Sequence, residues 1–465
     1  MSTNSGVFNW ESRSMLILVV VATTLGLNDF LTFPSLVGEN GGGLFLILYS
    51  LFLCLLSLPM LMGELLLGRI SRTDPAAAFE MLAEQHKAAV YWKLVGLLSM
   101  SAAFLLVSTM CVVAGWSISY LVKAAIGLHS SLLPAEASST FQNLILDSEK
   151  MLFWHGLFLV CVVATIAQPV AIGVQKSFKY LLLAMLTLLL FVLILAIFSG
   201  GMEQSVVYLL YFDSDEFTAR TPLLALERAF FTLMLGLGAI MAIGRYIPPN
   251  TSISYSAILV VITNLLFVIF ASLAINALIF SVGMTPGSDN QSMFEILPVV
   301  FASYDADQSL GPVFYLMLLI AAYTTAVALL ISPVDFLQRK YQISRLRAAC
   351  IIGVCCWLTG LMIVLSYSLW NGEGFSIAIL VGDEAIQLVN DAGFHDIIIY
   401  MASHVIQPLM ALLACLFVGW ILPREIGLSI INGKKKIQFE IWNYLMRYIT
   451  PVLIFIVLLT TTGAI

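Results

Sequence analysis

One carboxylate stands out. Asp29 is the only charged residue between Met15 and Val37, and it follows Gly26 by three positions. A carboxylate in hydrocarbon costs ~2.5–3.5 kcal/mol on insertion scales, so an apolar stretch that keeps one has a use for it. Asp29 is either a cation ligand or a residue at the outer end of a short helix, reaching water. Other polar groups sit inside apolar runs: Asn264, the pair Thr324-Thr325, and Glu64 just before Gly68-Arg69. Asn264 offers a neutral oxygen ligand, or an interhelical hydrogen bond worth about 1 kcal/mol. The two threonines offer hydroxyl oxygens, or bond their own preceding turns. Glu64 is a snorkelling end residue or a partner for the exposed amides of a broken helix. Glu227 and Arg228 open a later apolar run, where interfacial anchoring is the simplest role.

The elements that carry these groups follow from composition. Of 465 residues, 60% are hydrophobic and only 10% charged, with a mean hydropathy of +1.00. A soluble domain carries about 25% charged residues. That balance excludes a soluble globular enzyme, a nucleic-acid-binding protein and a disordered chain. Apolar runs of about 20 residues, rather than alternating pieces of about 10, exclude a membrane β-barrel. The chain reads as an all-α integral membrane protein, surrounded by lipid. The seven cysteines lie in apolar stretches, with no CxxC pair and no Cys/His cluster at metal spacing. The five histidines are scattered, and no HExxH or Gly-Lys-Ser/Thr loop occurs. No enzyme chemistry and no catalytic residue are implied. The start of the chain, polar and containing Glu11, lacks the basic beginning and short apolar core of a cleaved signal.

Breaks between apolar runs predict about eleven spans, near 14–38, 44–68, 90–124, 152–172, 177–199, 219–247, 252–283, 309–340, 345–370, 396–422 and 438–463. The run Met293 to Ser303 contains Pro298 and is too short to cross, so it is expected to form an external hairpin or re-entrant piece. With the N-terminus inside, most basic residues fall on cytoplasmic connections: Arg69, Arg72, Lys87, Lys176, Lys179, Arg245, Arg339, Lys340, Arg345, Arg347 and the run Lys434-Lys435-Lys436. Lys123, Lys150, Arg220 and Arg228 are the exceptions. The outer loops are acidic, as at Asp213, Asp215 and Glu216, and at Asp383 and Glu384.

Two spans are interrupted alike. The first holds Thr23-Thr24-Leu25-Gly26-Leu27-Asn28-Asp29; the sixth holds Thr232-Leu233-Met234-Leu235-Gly236-Leu237-Gly238. Broken backbone at membrane depth is tolerated where it lines a cavity or an ion. Breaks five spans apart are what an inverted five-plus-five repeat produces, a hallmark of secondary transporters. The expected organisation is an N-terminal segment 1–13, a first repeat 14–199, a second repeat 219–422, and an eleventh helix with the C-terminus over 438–465.

The segments Trp10-Glu11-Ser12-Arg13, Gly26-Leu27-Asn28-Asp29-Phe30, Phe33-Pro34 and Gly38-Glu39-Asn40-Gly41-Gly42-Gly43 together resemble the first helix of the neurotransmitter:sodium symporter family. Glu64 with Gly68-Arg69, Phe230-Phe231-Thr232, Leu235 to Ala239 and Thr324-Thr325-Ala326 continue the match. Phe417-Val418-Gly419-Trp420 and Met446 to Pro451 carry it almost to the C-terminus. The resemblance implies a LeuT-type fold and sodium-coupled import of an amino acid or related amine by alternating access, in a bacterial inner membrane. It implies a first sodium site from the Thr24 carbonyl, Asp29, Thr232 and Asn264. A second would use carbonyls of Ala22, Leu25 and Ala321 with the hydroxyls of Thr324 and Thr325. The small-molecule substrate would lie against Thr24 and the Leu27 and Asn28 amides, with Met110, Phe231, Met234, Leu237 and Leu329 around an apolar portion. Arg228 and Tyr246 are implied gate residues.

The departures from the family pattern carry information too. Met110 stands where the family has a tyrosine that holds the substrate carboxylate, and Asp29 where it has asparagine. Asp29 could therefore supply the negative charge that a substrate carboxylate normally gives the ion. The family's outer gate pair aligns with Thr32 and Ile399, so Arg228, in place of a glutamine, is expected to close the vestibule against Asp29. The inner pair aligns with Val7 and Arg339, and neither family salt bridge can form in its usual residues. Chloride is left open: Tyr49 is kept, Val268 occupies the position of the family's glutamate or serine, and Arg228 adds a cation. The alternatives are a proton-coupled or sodium-independent permease of the same fold, with Asp29 as proton carrier, and a ligand sensor that does not transport. Sequence sets no oligomeric state.

Overall fold

The computed structural model describes residues 9–127, 134–287, 289–304, 309–370, 374–381, 384–428 and 436–463. Val7, Lys434, Lys435 and Asp383 lie outside them. Among the described residues, nine helices are long and apolar enough to cross a membrane. They are Gly43–Ser71, Val90–Ala125, Ser148–Ile166, Ala171–Phe198, Ile253–Ser281, Leu310–Tyr341, Arg345–Tyr367, Phe394–Ile421 and Ile437–Thr461. In order these are the second to fifth spans and the seventh to eleventh. Their cores coincide with the apolar runs, since a helix satisfies every backbone group internally where no water can.

The first and sixth spans are built from shorter pieces. The first comprises Arg13–Thr24, Asn28–Leu31 and Phe33–Gly38. Ser12 caps its start, accepting from the Met15 amide at 3.1 Å. The sixth comprises Thr221–Thr232 and Ala239–Gly244. Its break requires left-handed backbone at Met234 (φ 52°), Gly236 (φ 79°) and Gly238 (φ 74°). A side chain at Gly236 is excluded twice, by its φ and because a Cβ there would lie 2.6 Å from the Gln407 carbonyl oxygen.

The eighth span is the centre of the bundle. In its most apolar window 83% of residues are buried, against 28% in the fifth, where Leu183, Leu186, Leu190, Phe191 and Phe198 face outward. The eighth packs along the third, and the N-terminal piece of the first span lies against the fifth, seventh and eighth. The sixth span packs against the second. Both breaks are thereby enclosed by protein.

Met293 to Ser303 belongs to the helix Asn290–Ala302, started by Asp289 accepting from the Ser292 amide at 2.7 Å. The segment between the ninth and tenth spans, read in the sequence only as an acidic loop, forms a β-hairpin, Phe375–Val381 antiparallel to Glu384–Ala392. The alternation in Ser376-Ile377-Ala378-Ile379 before Gly382-Asp383 was the available signal.

Candidate functional site

The two breaks face a shared cavity of about 310 Å³. Its walls come from the first break, the third, sixth, eighth and tenth spans, and Asn290. Asp29, nearly fully buried, is held at both oxygens. One accepts from the Gly26 amide at 2.9 Å, in the break before the restart of the first span; the other is ion-paired with Nη2 of Arg228. Arg228 is 9% exposed, lies over the Phe33 ring at 5.2 Å, and has no hydrogen-bond partner at Nε. The Arg228 carbonyl accepts from the Thr232 hydroxyl at 2.7 Å, and that hydroxyl also meets the Tyr49 hydroxyl at 2.9 Å. The Asn264 amide nitrogen donates to the Thr24 hydroxyl at 3.1 Å, while its Oδ1, buried, has no partner.

On the other side of the first break, the Thr325 hydroxyl reaches the carbonyls of Thr23 (3.0 Å) and Leu25 (3.2 Å), tying the eighth span to the unwound segment. Thr324 instead donates to Ile320 (3.1 Å) and Ala321 (3.2 Å), the carbonyls of its own preceding turn. Ala22, Leu25 and Ala321 are all buried.

The sixth break is held by side chains from distant spans. Glu64 is buried and accepts from the Gly236 amide at 2.7 Å, so of its two readings it is the partner of a broken helix. The Gln407 amide donates to the Leu235 carbonyl at 2.9 Å, and the Ser332 hydroxyl to the Gly238 carbonyl at 2.8 Å. Orphan peptide groups are thus paired without water.

Thr24, Leu27, Asn28, Met110, Phe231, Met234 and Leu329 all line the cavity. Leu237 does not: it is fully buried beyond Gly236, whose left-handed turn carries the chain off the wall. Sequence reasoning missed the tenth-span wall, where His395, Ile399, Ser403 and Gln407 recur every fourth residue, with His404 beside them. That stripe runs through a π-helical stretch, Tyr400–Ile406, which matches a spacing wider than 3.6. Ile399 shares its face with three polar neighbours, His395, Ser403 and Gln407.

At the end of the bundle that carries the N-terminus, acids and arginines pair. Arg339 is ion-paired with Asp74, the cap of the helix Pro75–Gln85, and Asp335, buried on the eighth span, binds both Arg245 (3.1 Å) and Arg345. Asp335 lies one turn before Arg339, so aligning single positions overlooked it. Tyr246 is here as well, edge-on to Trp10 at 5.6 Å, its carbonyl accepting from the Trp10 amide at 2.9 Å.

Residues 8–142 match the Sodium:neurotransmitter symporter family. The chain is 28% identical to an uncharacterized sodium-dependent transporter of Bacillus subtilis, YhdH, over 98% of this chain and 97% of that one. It is 25% identical to a sodium-dependent transporter of Haemophilus influenzae, over 97% of each. In three dimensions it superposes on MhsT, crystallised with L-phenylalanine, with a TM-score of 0.84, 30% identity, and coverage of 98% and 100% of the two chains. The chain belongs to the neurotransmitter:sodium symporter family. It is a multi-pass membrane protein with the LeuT-type fold, a sodium-coupled symporter that takes a small-molecule substrate, and not an enzyme. In this symporter an aspartate–arginine ion pair, Asp29 with Arg228, stands at the cavity.

Proposed function

We propose that the protein imports an amino acid or related amine together with sodium, by alternating access between two five-helix repeats, 14–199 and 219–422, in the bacterial inner membrane with the N-terminus cytoplasmic. The observation that carries the ion reading is Asn264 Oδ1, a buried oxygen without a partner beside the Thr24 hydroxyl, with Asp29 and Thr232 on the same cavity. A buried acceptor costs about 1–3 kcal/mol when unpaired, and a sodium ion, which prefers oxygen ligands, fits it. The first sodium is held by Asp29, Thr232, Asn264 and the Thr24 carbonyl, the second by Thr324, Thr325 and the carbonyls of Ala22, Leu25 and Ala321. The substrate lies against the Leu27 and Asn28 amides. Met110, Phe231, Met234 and Leu329 favour an apolar side chain, in keeping with L-phenylalanine bound by MhsT. Arg228 and Tyr246 act at the two gates.

The experiment is thermal unfolding of the purified protein with amino acids and amines, in sodium or in potassium. A ligand that binds the folded protein raises its stability by mass action. Stabilisation confined to sodium supports the reading. Stabilisation equal in both salts counts against it and turns attention to Asp29 as a proton carrier.

A further inference from the structure

The ion pair inside the cavity changes the charge balance on which the choice of substrate depends. Asp29 brings one negative charge, and Arg228 already neutralises it. The charge that Asp29 was expected to offer in place of a substrate carboxylate is therefore not free. Sodium at the first site adds one positive charge, and an uncompensated buried charge costs several kcal/mol. An amine without a carboxylate would add a second positive charge; an amino acid, whose carboxylate cancels its own ammonium, would add none.

The cavity offers that carboxylate a guanidinium. Met110 has no donor, and the Thr109 hydroxyl is committed to the Leu106 carbonyl at 2.8 Å. Among the described residues lining the cavity, Arg228 is the only lysine or arginine, and its Nε has no hydrogen-bond partner. A guanidinium can give a carboxylate two parallel hydrogen bonds. It can do so fully only when it no longer serves Asp29.

We propose that Arg228 is a specificity-determining residue whose guanidinium exchanges partners: it pairs with Asp29 in the sodium-free protein, and when sodium takes Asp29 it turns to the substrate's carboxylate. This rests on the first sodium site proposed above. Sodium and the guanidinium compete for one carboxylate, so removing the guanidinium tightens sodium binding while weakening substrate binding. A residue that only held the sixth span in shape would weaken both.

The test uses the purified full-length protein in detergent and reads thermal unfolding. Sodium is titrated against potassium at constant ionic strength with no organic ligand, on wild type, R228Q and R228K. R228Q is expected to bind sodium about tenfold more tightly, a change of about 1.4 kcal/mol. R228K, which keeps the charge, is expected to stay near wild type and guards against an effect of misfolding. In saturating sodium, the twenty L-amino acids are then compared with their decarboxylated amines. Wild type is expected to respond to at least one amino acid and not to its amine, and R228Q to lose that response at least tenfold. An R228Q that binds sodium no more tightly than wild type, or a wild type stabilised by an amine as well as by its parent amino acid, overturns the proposal. If wild type shows no sodium response at all, the sodium-site reading falls with it; a sodium response that R228Q leaves unchanged sinks the exchange alone.

Discussion

The two proposed ion sites flank the same break in the first span but are built from different materials. The first contains a formal charge, a buried arginine competing for that charge, and an amide oxygen with no partner. The second is neutral, and its two hydroxyls are already satisfied by carbonyls, Thr324 within its own helix and Thr325 across to the first span. A site with unmet charge and unmet acceptors is selective but sensitive to its neighbours. A site of satisfied dipoles depends on backbone shape. The first site should therefore respond to charge and the second to packing.

The largest effect that would break this contrast concerns Asp29. Asp29→Asn leaves Arg228 buried without its partner, a loss of the order of 3–5 kcal/mol when one member of a buried pair is removed. Sodium-driven uptake into proteoliposomes should be abolished and the unfolding temperature lowered. Uptake that survives with wild-type sodium dependence would remove Asp29 from the ion site. Next comes Asn264→Leu, which deletes the orphan oxygen and the bond to Thr24. Sodium affinity should fall by about 1–3 kcal/mol, the worth of a buried polar ligand, with little loss of fold stability. Thr325→Val cuts the ties to Thr23 and Leu25, and chemical denaturation should register about 1 kcal/mol along with weaker sodium binding. The smallest change is Thr324→Val. Its hydroxyl bonds only its own turn, so stability should shift by about 0.6 kcal/mol or less, and any larger loss confined to sodium titrations would mark it as a ligand. Equal effects at Asn264 and Thr324 would erase the distinction between the sites.

Much of this architecture was legible because lipid imposes hard constraints. Apolar run length located the long helices, and Gly26 and Gly236 located both breaks. Polar groups isolated in apolar runs found Asp29, Asn264 and Glu64, since each is too costly to keep without use. Three things were not legible. Glu64 could be read two ways until the Gly236 amide was placed 2.7 Å from it, because a contact 172 positions away leaves no local trace. The tenth-span wall was hidden by π-helical spacing, which breaks the usual periodicity. Asp335 was not legible because alignment fixes one position, whereas the requirement is only that some acid on that turn meet the arginines.

The Asp29–Arg228 pair has an electrical consequence. Two opposite charges in one contact add nothing to the net charge the protein must move through the membrane field when it resets without cargo. Each sodium ion it carries does add a charge, and a transmembrane potential acts on that charge with ~2.3 kcal/mol per 100 mV. As far as this pair is concerned, voltage acts on the loaded stroke and leaves the return stroke alone.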